Sequence, residues 1–195
     1  MSELTVAVLA RNEATRFLPS ALSAWSDFAD RIILLDDSST DNTKQLAQDA
    51  GALVFDVGGC APMWGNESPA RQMLFDLACE FTAPDGWILI LDADMTPARD
   101  PRPLMDGTTG AWAFRLYDLW GEENGRPLYR WDGMWRAHES PRIWMFKNPG
   151  RGDYVWNARG IHCGHLPANL EIARGIGTAP LDFFLVALAP GDQPA

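Results

Sequence analysis

No stretch of this 195-residue chain is apolar enough to cross a membrane. The longest apolar run, about residues 181–190, falls short of the roughly 18 residues a span needs and is broken by Asp182. The opening Met1-Ser2-Glu3-Leu4-Thr5 has no basic stretch leading into an apolar one, so no signal peptide is expected. Cysteine is scarce and odd in number: Cys60, Cys79 and Cys163 include no CxxC pair, which argues against a zinc knuckle or a disulfide framework. Reduced thiols in a cytoplasmic protein are the plain expectation.

Basic charge is also in deficit, with a net charge of −10. Residues 1–100 hold 16 acidic against 6 basic residues, whereas residues 101–195 hold 10 of each. Such a protein is poorly suited to duplex nucleic acid, whose affinity comes largely from phosphate neutralisation. Nine of the ten late basic residues are Arg, whose guanidinium fork matches the oxygens of a small phosphorylated ligand. No glycine-rich signature follows the first apolar run, where a nucleotidyltransferase on a similar sheet would usually carry one; the chain reads Ala10-Arg11-Asn12-Glu13 there.

What is present is ordinary globular composition, 47% hydrophobic and 22% charged, enough for one full core. Short Val-, Ile- and Leu-rich runs at 5–10, 31–35, 52–57 and 87–91 read as strands, the first two of them buried. Between them Phe17, Leu18, Ala21, Leu22 and Trp25 follow helical spacing behind a possible cap at Asn12. A second helix is expected over about 42–50, capped by Asp41 or Thr40 and closed by Gly51, and a third over 70–81. Alternating strands and helices imply an α/β fold, a mostly parallel sheet with helices on its faces. Ligands bind such sheets beyond the carboxyl ends of the strands. Three polar clusters fall at those ends: Arg11-Asn12-Glu13, Asp36-Asp37-Ser38 and Asp92-Ala93-Asp94.

After Pro97 the texture changes to short β-like segments at 111–117, 128–131, 142–146 and 154–156, with helical periodicity returning only at 167–174. Six of the nine Trp lie between Trp112 and Trp156. Most are expected in the core, with Trp131 and Trp135 the candidates to line a ligand groove.

Two carboxylates one residue apart after a strand are hard oxygen ligands suited to Mg²⁺ or Mn²⁺ shared with substrate phosphates. Asp is equally a common turn former, so the Asp92-Ala93-Asp94 triplet is informative through its setting.

Taken in order, Val8-Leu-Ala-Arg-Asn-Glu13, Ile33-Leu-Leu-Asp-Asp-Ser-Ser-Thr-Asp-Asn-Thr43, Ala70-Arg71 and Leu91-Asp-Ala-Asp-Met95 resemble the nucleotide-binding half of inverting glycosyltransferases of family 2. The resemblance covers about residues 4–97. It implies the GT-A fold: one domain with a nucleotide-sugar-binding half at 1–97 and a mixed, β-rich acceptor half at 98–195. It further implies that Ala10, Glu13, Asp37 and Arg71 line the donor site, that Asp92 touches ribose or metal, and that Asp94 is the principal ligand of Mn²⁺ or Mg²⁺. Gln72 stands where the family's Ala-Arg-Asn run has Asn. In the second half, Pro141-Arg-Ile-Trp-Met-Phe146 and Arg159-Gly-Ile-His162 resemble later family segments, and His162 is the expected third metal ligand with His165 second. Glu139 is the expected catalytic base, with His138, Asp132 and Asp118 as alternatives.

On that resemblance the donor is a nucleoside-diphosphate sugar of the UDP or GDP type. The acceptor is a glycan, a lipid-linked sugar or a protein. A non-catalytic nucleotide-sugar-binding module and a nucleotidyltransferase are the rival readings.

Overall fold

The computed structural model describes residues 2–58, 66–124, 126–130, 137–156 and 164–188. The first strand, β1 (Leu4–Ala10), is buried along its whole length, as its unbroken apolar run requires. It pairs in parallel with β2 (Arg31–Asp36) on one side and β4 (Trp87–Asp92) on the other. Beyond β2 lies β3 (Leu53–Asp56), also parallel. The expected α/β architecture is therefore present.

Helix α1 (Leu18–Ser26) begins at Phe17 without a side-chain cap and carries Pro19 in its first turn, where the missing N–H costs nothing. Asn12 does not cap it. The backbone at Asn12 is left-handed, and its Oδ1 accepts a hydrogen bond from Thr40 N at 2.8 Å. Helix α2 (Thr43–Asp49) has Asn42 at its N-terminus, and Asp41 Oδ1 accepts from Thr43 N at 3.0 Å. Helix α3 (Ser68–Phe81) starts two residues before the expected point, again with Pro in its first turn.

Side chains alternate across the sheet. Leu4, Val6 and Val8 face α1 and α2, while Ala7 and Leu9 face α3. The buried stripe of α3 runs through Ala70, Arg71, Leu74, Phe75, Ala78 and Cys79. Met73, Leu77 and Phe81 lie at its margin. Phe75 stacks on Phe146 at 5.7 Å and meets Tyr154 edge-on at 4.8 Å, so truncating it to Ala should cost about 3–5 kcal/mol. Asn148 Nδ2 donates to the carbonyls of Cys79, Thr82 and Ala83, satisfying the end of α3.

The second half both extends this sheet and builds another. Strand β9 (Arg142–Lys147) runs antiparallel to β4, β6 (Ala111–Phe114) pairs antiparallel with β9, and β10 (Ile176–Thr178) completes the order β10-β6-β9-β4-β1-β2-β3. The segment expected as one strand at 111–117 divides at Arg115. Strand β6 stays in the first sheet, and β7 (Leu116–Glu123) joins a second sheet of order β5-β11-β7-β8, with β5 (Met95–Pro97), β8 (Arg126–Tyr129) and β11 (Leu185–Leu188). The apolar run near 181–188 thus packs into the core through Leu185 and Val186.

Two local expectations fail. Residues 154–156 form no strand, and residues 167–174 form turns in place of a helix. The reason is one side chain: Asn169 Oδ1 accepts from Val155 N at 2.8 Å while its Nδ2 donates to Asp153 O at 2.9 Å. With Ala168 N donating to Val155 O, the two segments satisfy each other's backbone. No helix among the described residues is long and apolar enough to cross a membrane.

Candidate active site

The carboxyl ends of β1, β2 and β4 lie side by side, and the polar clusters that follow them are laced together by hydrogen bonds. Asn12 N donates to Ser39 Oγ at 2.9 Å, Glu13 N to Thr43 Oγ1 at 2.8 Å, and Ala14 N to Asp41 Oδ2 at 3.1 Å. These bonds hold the loop after β1 against the loop after β2. The turn after β4 is fixed from two further sides. The Trp25 indole donates to Met95 O at 3.1 Å, and Leu188 N donates to Asp94 O at 2.7 Å.

A cavity of about 380 Å³ opens over these ends. Its walls include Ala10, Glu13, Arg71, Asp92 and Asp94 from the expected set and His165, the second choice of third metal ligand, joined by Glu67 and Arg142. Five of the residues expected at the donor and metal sites therefore meet in one place. Asp37 lies outside the lining: it is buried, and its Oδ2 accepts from Nη1 of Arg11, which does line the cavity, at 3.3 Å.

Asp92 is the most constrained of the acids. Its Oδ1 receives Arg71 Nη2 at 2.9 Å, and its Oδ2 lies 3.2 Å from His165 Nε2. Burial would push this carboxyl up, but Arg71 and His165 outweigh it and hold it well below the usual carboxylate range. Arg71 is itself buried on α3, with Glu67 Oε2 one turn earlier at 4.0 Å from its Nε. The ring of His165 packs on Trp144 at 4.2 Å between centroids.

Asp94 has the opposite character. Burial raises its carboxyl, the charge of Asp92 raises it further, and a smaller contribution comes from Asp118. Glu13 is also raised, by burial first; Arg16, bonded to its Oε1 at 2.5 Å, offsets part of this and Asp94 adds to it. Glu13 Oε2 is buried without a hydrogen-bond partner among the described residues. Glu13 is thus paired with Arg16 and Asp92 with Arg71, whereas Asp94 makes no ion pair with any described residue.

Glu139 is exposed and lies outside the cavity lining, 3.9 Å from His138 Nε2, while His138 stacks on Tyr117 at 5.5 Å. His162, Asp132, Trp131 and Trp135 lie outside the described residues. Of the two histidines named as third ligand, His165 is seen, and it contacts Asp92. No group of three His, Cys, Asp or Glu side chains that could hold a metal ion is found among the described residues. Sequence reasoning overlooked Glu67, although its position four residues before Arg71 on a helix was a readable signal.

No family model matches the chain. Over 95 residues, 48% of its length, it is 33% identical to a TPR repeat-containing protein of Synechococcus elongatus, of which it spans 21%. Among solved structures, glucosyl-3-phosphoglycerate synthase of Mycobacterium tuberculosis with Mn²⁺, UDP and glucosyl-3-phosphoglycerate is similar at 18% identity and a TM-score of 0.41, over 60% of this chain and 44% of that one. The same synthase with Mn²⁺, UDP-glucose and phosphoglyceric acid matches at 20% identity and a TM-score of 0.41, over 62% and 45%. This chain thus spans less than half of those proteins.

Proposed function

We propose that this chain is a metal-dependent glycosyltransferase, moving a sugar from a nucleoside-diphosphate sugar of the UDP or GDP type to a hydroxyl acceptor with inversion. The observation that carries the reading is the place of Asp94: it shares one cavity at the strand ends with Glu13, makes no ion pair with any described residue, and stands beside an Asp92 already bonded to Arg71 and His165. The unmet need there is for a cation at Asp94.

The donor set fits Mn²⁺ or Mg²⁺. Such ions take one or two protein carboxylates and complete their shell with water and phosphate oxygens, so Asp94 with Glu13 at hand is a sufficient protein share. A bound divalent ion supplies positive charge that stabilises the departing diphosphate. Asp92 keeps Arg71 turned toward the cavity wall, where its guanidinium faces the same phosphates. Asp37, at the end of β2, is the group proposed to receive the base or ribose, with the Arg11 side chain moving aside. Ala10 gives the nucleotide a close approach to the end of β1.

Inverting transfer also needs a base to take the acceptor proton. Neither Glu139 nor Asp118 belongs to the cavity lining; Glu139 is exposed, while Asp118, on β7, is half-buried and close enough for its charge to reach Asp94. We propose Asp118 first for this role and Glu139, the expected base, second. The test is a transfer assay on Asp118→Asn and Glu139→Gln. Loss of the base should lower kcat by ~10²–10⁴-fold with donor affinity kept. If transfer requires neither a divalent ion nor Asp94, the proposal fails.

A further inference from the structure

Four guanidinium groups line the cavity: Arg11, Arg16, Arg71 and Arg142. Three are tied to carboxylates. Arg11 pairs with Asp37 at 3.3 Å, Arg16 with Glu13 at 2.5 Å and Arg71 with Asp92 at 2.9 Å. Arg142 makes no ion pair with any described residue, although the wall it belongs to also carries Glu67, Asp92 and Asp94. A ligand anion meeting Arg142 therefore displaces no protein carboxylate.

Its place in the sheet decides which ligand it meets. The strands run in the order β9-β4-β1-β2. Strand β9 is antiparallel to β4, with Trp87 opposite Lys147 and Leu89 opposite Met145, so the first residue of β9 lies beside the carboxyl end of β4. Along the strand ends, the cavity passes from Arg11, which bonds Asp37 at the end of β2, past Glu13 after β1, to Asp92 and Asp94 at β4, and then to Arg142 at β9. A nucleoside at the β2 end with its diphosphate at Asp94 directs the transferred sugar, and whatever receives it, toward β9.

We infer that Arg142 anchors an anionic group of the acceptor. The acceptor then bears a phosphate or carboxylate near its nucleophilic hydroxyl, and the planar fork of Arg142 holds that group by paired hydrogen bonds. This rests on the proposed function for the word acceptor. The anion site itself rests only on the geometry of Arg142.

The test is calorimetric titration of inorganic phosphate, and separately of acetate, into the full chain. It is done first without nucleotide and then with Mg²⁺ and a saturating nucleoside diphosphate. Wild-type protein should bind phosphate in the nucleotide-loaded state. Arg142→Ala should weaken that binding by ~10-fold or more, Arg142→Lys should retain part of it, and nucleotide affinity should stay within about twofold. Stronger binding of acetate than of phosphate would mark a carboxylate acceptor. Equal phosphate binding by wild type and Arg142→Ala, or none by wild type in either state, overturns the inference. Should no nucleoside diphosphate bind, the proposed function falls, and the titration without nucleotide still decides whether Arg142 is an anion site.

Discussion

His165 Nε2 lies 3.2 Å from Asp92 Oδ2, joining residues 73 apart in sequence across the mouth of the cavity. Arg71 takes the other oxygen of the same carboxylate at 2.9 Å. Asp92 is thereby a fixed anion whose lone pairs are largely spent on the protein, which leaves Asp94 as the acid free to serve a ligand.

This arrangement sets an acid limb to stability. Asp92 is held below the ordinary carboxylate value, so the stabilisation it contributes is present above pH of about 4 and is lost as pH falls further. Arg71→Met should cost about 2 kcal/mol at pH 7, because it strips a buried partner from a charge that is only partly open to solvent. The difference between wild type and variant in urea denaturation should shrink as pH is lowered toward 3. A gap that stays constant with pH would show that the pair contributes through packing alone.

Asp94→Asn should act in two opposite directions. The folded protein raises the Asp94 carboxyl, so its ionised form costs stability at neutral pH, and that cost vanishes as pH falls below the ordinary carboxylate range. The variant should therefore melt at a higher temperature than wild type at pH 7, with the gain fading in acid. It should also lose divalent-ion affinity by more than the ~10–100-fold typical of outer-shell losses. A variant that is less stable at pH 7 contradicts the first expectation, and unchanged ion affinity contradicts the second.

Gly110 joins β6 to the turns after Asn169. A Cβ placed there would lie 1.8 Å from the carbonyl oxygen of Ala173, which is backbone and has little room to move. Gly110→Ala should destabilise by more than about 2 kcal/mol, read as a lower urea midpoint. A midpoint within error of wild type would mean that the 173–175 turn yields freely.

The parallel half of the fold was legible because each of its strands is a short, largely apolar run and each helix is bounded by Pro, Asp or Gly with a defined backbone role. The site was legible for the same reason, since Asp92, Asp94 and Glu13 directly follow buried strands. The second sheet was not. Strand β5 spans only Met95–Pro97 and is recruited by β11, which comes some 90 residues later, so no local period reports it. The expected helix at 167–174 gave way because Asn169 bonds Asp153 and Val155, partners that its own neighbourhood does not reveal. His165 illustrates the same limit: a lone imidazole is informative only once the fold has brought it to Asp92.

The central claim is a nucleoside-diphosphate site held together by a cation at Asp94. Its most direct test is calorimetric titration of UDP, GDP, CDP and dTDP into the folded chain, with Mn²⁺ and again with EDTA. One of the four should bind tightly with Mn²⁺, and both EDTA and Asp94→Asn should abolish the binding. Failure of all four to bind folded protein in the presence of Mn²⁺ would contradict it, and the acids at the strand ends would then be structural.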